Sequence, residues 1–186
     1  MAMKIVQAGD PALREKTREL TVEEIGSESV QKLIGLMFET MYEAPGVGLA
    51  APQVGVSLAI AVIEDKQEYI DKMAAGQAAQ RRRSAVAPHV LINPRLTIET
   101  PATEEFFEGC LSVAGFTAVV PRALRVRVDA LNERGEPVAI DAEGWYARIL
   151  QHEIDHLNGH LYIDRMNSRT FTTRENFERF HAPRTD

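Results

Sequence analysis

Residues 151 to 159 read Gln-His-Glu-Ile-Asp-His-Leu-Asn-Gly, and the His-Glu-x-x-His unit inside them constrains the chain more than any other feature. On an α-helix, positions i and i+4 share a face. His152 and His156 can therefore present two imidazole nitrogens to one cation, with Glu153 beside them as a proton acceptor. Two protein ligands are too few for a tight site. The third must come from elsewhere, and the chain's single cysteine, Cys110, within Glu108-Gly109-Cys110-Leu111-Ser112, is the natural candidate. The fold then has to bring that segment against the motif helix.

A lone cysteine is most often a small buried hydrophobe, and a helical histidine is usually a surface or core residue. Here three of the five histidines, His152, His156 and His160, fall within nine positions. Two peptidase patterns stay open at this point. The metzincin sequence continues with x-x-Gly-x-x-His after the second histidine. Gly159 matches its glycine, but Tyr162 stands where the last histidine belongs and His160 comes two residues early. A peptidase of the other broad type recruits a downstream carboxylate, for which Glu175 and Glu178 are the nearby choices. Spacing alone does not separate these from ligation by Cys110.

Three segments occur in order: Gly46-Val47-Gly48-Leu49-Ala50-Ala51-Pro52-Gln53-Val54-Gly55, then Glu108-Gly109-Cys110-Leu111-Ser112-Val113, then Gln151-His152-Glu153-Ile154-Asp155-His156-Leu157. Together they resemble the three motifs of peptide deformylases. The likeness takes in Asn93-Pro94, Val120-Pro121-Arg122 and the stretch from Gly144 to Asp164, and so covers most of residues 4 to 172. Many bacterial members have a proline after the Ser-hydrophobe pair, whereas this chain has Val113-Ala114-Gly115-Phe116. That variant, with Gly144-Trp145 and Ser168-Arg169-Thr170-Phe171, is more similar to the subgroup that includes organellar deformylases.

The resemblance implies a hydrolase that removes the formyl group from the N-terminal formyl-methionine of new polypeptides and releases formate. By the same resemblance one divalent metal per chain sits on Cys110, His152 and His156, Fe²⁺ in the cell with Zn²⁺ or another divalent ion as a substitute. Such a three-ligand set leaves a coordination position free for chemistry. Glu153 would move the proton, and Gln53 and the backbone N–H of Leu111 would donate to the oxyanion. Gly46, Val47, Gly48, Trp145 and Ile149 are expected to meet the substrate. The partners implied are N-formylmethionyl peptides, nascent chains at the ribosome, and the protein itself would be a monomer or homodimer. The alternative is an HExxH metallopeptidase.

Composition bears on the partners. A net charge of −6 gives no support to a nucleic-acid or anionic-membrane partner. One cysteine forms no internal disulfide, which suits a reducing compartment. The start, Met-Ala-Met-Lys-Ile-Val-Gln, lacks the apolar run of a signal peptide, and no window approaches the ~18 apolar residues of a membrane helix. These features lead us to expect a cytoplasmic protein.

Periodicity predicts an α+β fold of one domain over residues 1–186, with antiparallel sheets around a central helix that carries the motif. Val30, Leu33, Ile34, Met37 and Met41 mark an amphipathic helix with Ser27 or Ser29 near its start and Pro45-Gly46 at its end. Asp10-Pro11 reads as the start of a short helix. Ser57 to Ile63 and His89 to Asn93 read as strands, the second stopped by Pro94. Between them, 64–87 reads as a solvated helical or mobile insertion, Arg81-Arg82-Arg83 included. Val120 to Ala130 alternates as one half-buried strand, turned by Asn132-Glu133-Arg134-Gly135 into Pro137 to Ala142. The motif helix should run from about Gly144 to Leu157, and a tail begins at about 165.

Overall fold

A computed structural model of the chain describes residues 2–182. A short 3₁₀ turn, Pro11–Leu13, is capped by Asp10, whose side chain accepts from the Ala12 N–H. α1 (Val22–Ile25) opens with a capping box between Thr21 and Glu24. α2 (Glu28–Glu43) starts where the Ser27 hydroxyl accepts from the Val30 N–H, and it buries Val30, Ile34, Met37 and Met41. The methionine stripe is core: Met37 and Met41 are fully inaccessible.

β1 (Gly48–Ala50) and β2 (Ile60–Asp65) follow, then two short helices, α3 (Gln67–Asp71) and α4 (Gln77–Gln80). β3 (Val86–Ile98) is longer than expected, because Pro94 does not stop it. The register shifts between Ile92 and Arg95, where Asn93 takes φ +52° and its side chain bonds the N–H and carbonyl of Leu20. A bulge thus absorbs the proline, which lacks a donor for the ladder.

β4 (Thr103–Gly109), β5 (Phe116–Ala123), β6 (Arg125–Leu131) and β7 (Pro137–Glu143) come next. The single alternating strand expected over 120–130 is in fact two. β5 belongs to a three-stranded sheet, β4-β5-β8, and β6 to a five-stranded sheet, β1-β2-β3-β6-β7, all antiparallel. The switch is Leu124, whose N–H bonds the Ala102 carbonyl while its own carbonyl accepts from Gly144. The β6–β7 hairpin forms as the turn residues predict, with Leu131 opposite Pro137.

α5 (Gly144–Leu157) carries the His-Glu-x-x-His unit and lies between the two sheets, touching β1, β2, β3, β5, β6 and β7. Nearly its whole circumference is buried, polar residues included. Full burial of a side chain such as Leu150 stabilises by about 1.5–3 kcal/mol, so the helix that holds the motif is itself held by core packing. The tail folds back: β8 (Thr172–Thr173) pairs with β5, and α6 (Arg174–Phe180) follows. No helix among the described residues is long and apolar enough to cross a membrane.

Candidate metal centre and cleft

Strand parity and helix phase bring the donors together. Cys110 follows directly on β4, and α5 presents His152 and His156 one turn apart. Cys110 Sγ lies 3.3 Å from His156 Nε2, which lies 3.3 Å from His152 Nε2. All three donor atoms are within 4.8 Å of one another. One sulfur and two ring nitrogens converging on one point turn lone pairs toward each other with no proton donor common to all three, which is the chemistry of a cation site. The set fits a borderline-soft divalent ion.

His152 has a fixed orientation. Its Nδ1 is 3.1 Å from Glu108 Oε2 and donates to that carboxylate, leaving Nε2 free as a ligand atom. Glu108 also accepts from Arg122 Nε and Nη2 at 2.9 and 3.0 Å and from Arg148 Nη1 at 2.6 Å. Burial alone would push the Glu108 carboxyl up, but the bonds from His152 and Arg122 hold it well below the usual carboxylate range. Arg122 reaches on to Asp155 at 2.5 Å, and Arg165 closes on Asp155 with bonds of 2.7 and 2.8 Å. A chain of paired charges thus runs from His152 to the protein surface.

Glu153 is the opposite case. It is 4% exposed, its Oε2 has no partner, and burial pushes its carboxyl up to about 7. Its place is set by a glycine: a Cβ on Gly48 would overlap Glu153 Oε1 and stand 2.6 Å from its Cδ. Gly48 therefore makes room for the glutamate, a role distinct from the approach to substrate for which its type suggested it.

Gln53 sits in a 3₁₀ turn, Ala51–Val54, and is 2% exposed. Its Oε1 accepts from the Ala50 N–H at 2.9 Å, which turns Nε2 toward Ser112 Oγ at 3.3 Å and Cys110 Sγ at 3.6 Å. Leu111 is tied through its carbonyl to Gln7 Nε2 at 3.0 Å. A cleft of about 530 Å³ opens over these groups. Gly46, Val47, Gly48, Gln53, Cys110 and Leu111 line one side, and Trp145, Ile149, His152 and Glu153 of α5 line the other.

Some sequence candidates are not brought together. Among the described residues, Cys110, His152 and His156 are the one group of donors close enough to share an ion, and Glu175 and Glu178 are exposed on α6 outside it. Tyr162, at the metzincin histidine position, is buried with its ring stacked 6.5 Å from that of His152. For Asp155 the sequence favours an exposed helical aspartate over a partner of Arg122 or Arg148; it is 7% exposed and paired with Arg122 and Arg165. Glu108 carried a usable signal: two residues before Cys110 on a strand, it shares that residue's face.

A histidine pair and glutamate on a buried helix, a facing cysteine sulfur and an open cleft define a candidate metal centre with a carboxylate beside it. A model of the polypeptide deformylase family matches residues 2–172. The chain is 51% identical over 174 residues to "Peptide deformylase 1A, chloroplastic" of Solanum lycopersicum, across 94% of this chain and 63% of that protein. With "Peptide deformylase 1A, chloroplastic/mitochondrial" of Arabidopsis thaliana it shares 49% over 175 residues, 94% of this chain and 65% of that one. The chain thus spans a little under two thirds of the length of these plant relatives. The Met-Ala-Ser-bound class I type b peptide deformylase from Acinetobacter baumannii matches with a TM-score of 0.79 at 31% identity, covering 89% of this chain and 99% of that one. The chain belongs to the polypeptide deformylase family.

Proposed function

We propose that the chain hydrolyses the formamide of N-terminal formyl-methionine on newly made polypeptides, giving formate and a free amine. The observation that carries this reading is the unpartnered, buried Glu153 set beside three converging donors at the base of the cleft. Cys110, His152 and His156 would hold the ion, Fe²⁺ in the cell with Zn²⁺ as a working substitute. When bound, the ion supplies Lewis acidity and brings the pKa of a water molecule toward neutrality.

The protein's own groups do the rest. Water attacks the formyl carbon while Glu153 takes its proton, and Glu153 then hands that proton to the departing amine nitrogen as the C–N bond breaks. Gln53 Nε2 and the Leu111 N–H donate to the oxygen on which charge grows. β1 and β4 are end strands of their sheets, and both border the cleft. An extended peptide can add to such edges through main-chain bonds that ignore its sequence. Val47, Ile149 and Trp145 offer an apolar pocket for the first side chain. Action on chains emerging from the ribosome, a monomeric or homodimeric state and a cytoplasmic location belong to the same proposal.

The test is formate release from formyl-Met-Ala-Ser by anaerobically purified, metal-loaded protein. Formate should appear stoichiometrically with free methionyl peptide, and acetyl-Met-Ala-Ser should react poorly. Cleavage of internal peptide bonds without formate would contradict the proposal.

A further inference from the structure

The run Arg81-Arg82-Arg83 takes no part in the chemistry above, yet the fold carries it to the cleft. Arg83 Nε and Nη2 each bond Asp65 at 2.7 Å, a carboxylate only 1% exposed. Arg82 takes φ +46°, uncommon for a residue with a side chain, and its guanidinium stands 3.8 Å from Glu104. The backbone here sits down on the start of α5. A Cβ on Gly144 would lie 2.9 Å from the Arg82 carbonyl oxygen and 3.0 Å from that of Arg81, so glycine keeps this seat open. Pinned on both sides, Arg81 lays its guanidinium 4.7 Å from the centroid of Trp145 and 5.5 Å from that of Phe106.

Arg81 lines the cleft, as do Arg83 and Arg148. Arg83 has Asp65 and Arg148 has Glu108, whereas no carboxylate among the described residues pairs with Arg81. Burial, then the like charges of Arg83 and Arg148, pull its pKa below the usual guanidinium value. Half-buried donors without a protein acceptor gain from one carried in by a ligand. The position says which part of a ligand that is. Trp145 lies seven residues, about 10 Å of helix, from His152, and Ile149 lies one turn from each. From the donor triad outward, α5 therefore presents an aliphatic wall and then an indole backed by a cation.

We propose that Arg81 is a specificity-determining residue that closes the far end of the first side chain's pocket and donates to the acceptor at that side chain's tip, the thioether sulfur of methionine. This rests on the formyl-methionine reading. The same segment makes such a contact internally: Arg83 Nη1 donates to Met73 Sδ at 3.8 Å. Sulfur is a weak acceptor and also contacts aromatic rings favourably. A guanidinium lying on an indole thus suits methionine better than a hydrocarbon of the same length.

The experiment compares kcat/KM for formate release from formyl-Met-Ala-Ser, formyl-norleucyl-Ala-Ser and formyl-Glu-Ala-Ser, using the metal-loaded protein and its Arg81→Leu and Arg81→Lys variants. The unmodified protein should favour methionine over norleucine by about 3- to 10-fold, the range of one modest hydrogen bond, and Arg81→Leu should erase the difference. The formyl-Glu peptide, a stronger acceptor, should lose about tenfold or more relative to norleucine in Arg81→Leu, and Arg81→Lys should recover part of that loss. A general structural defect would lower all three peptides together and leave both ratios unchanged. Either ratio surviving the Arg81→Leu change overturns the proposal. Formate release with unchanged ratios overturns only the role of Arg81, whereas no formate from any peptide overturns the deformylase reading with it.

Discussion

Glu108 and Glu153 are both buried beside the donor triad, 6% and 4% exposed, yet they meet opposite fates. Glu108 receives bonds from Arg122, Arg148 and His152 and is held strongly ionised. Glu153 faces the cleft with one oxygen unpartnered, and burial lifts its carboxyl to about 7. Burial is common to both, so partners decide the outcome. A carboxylate saturated by cations is fixed in charge and fixes the histidine it touches. One left without partners can exchange a proton near neutrality, which is the property a general base and acid needs.

If this contrast holds, the two residues separate stability from activity. Removing one member of a buried ion network leaves the others uncompensated, so Glu108→Gln should cost about 3–5 kcal/mol in urea unfolding and lower metal affinity by about 10- to 100-fold. Glu153→Gln should cost under about 1 kcal/mol, because no buried cation loses its partner. Equal destabilisation by the two changes would break the comparison.

Gly48→Ala sharpens it from the other side. The added methyl would overlap the Glu153 carboxylate and must displace it. A misplacement on the order of 1 Å should lower kcat by about 10²-fold while metal content stays unchanged. Metal loss in this variant would mean that Gly48 supports the ligands and not the base.

A smaller effect belongs to the far end of the network. Arg165 is half exposed where it meets Asp155, so screening limits what that pair is worth. Arg165→Ala should destabilise by about 1 kcal/mol or less and leave formate release unchanged. A large loss of activity there would show that the whole chain of charges, and not Glu108 alone, orients His152.

Much of this architecture is legible in the sequence, for identifiable reasons. α2 and α5 announce themselves through a 3.6-residue period, with serine at one start and Asn158-Gly159 at one end. The histidine pair is legible because His152 and His156 are local, and Cys110 stands out as the one cysteine, although spacing alone leaves Glu175 and Glu178 open as the third ligand. What the sequence hides depends on contacts between distant segments. Leu124 continues the alternation of its neighbours, so nothing in the pattern marks the change of sheet, which lies in its bonds to Ala102 and Gly144. Pro94 reads as a stop because the bulge at Asn93 that accommodates it is anchored by Leu20, far away in sequence. Arg81-Arg82-Arg83 reads as a solvated run because the seat that Gly144 provides is visible only in three dimensions.

Metal stoichiometry and formate release measured on the same anaerobic samples of the protein, Cys110→Ala and Glu153→Gln bring these strands together. The protein and Glu153→Gln should each carry about one metal per chain, and Cys110→Ala, with only two side-chain ligands, should lose it. Glu153→Gln, though loaded, should release formate about 10²- to 10⁴-fold more slowly. A loaded Glu153→Gln protein with near-normal turnover, or a Cys110→Ala protein with full metal and activity, would contradict the assignment of proton transfer to Glu153 or of the third ligand to Cys110.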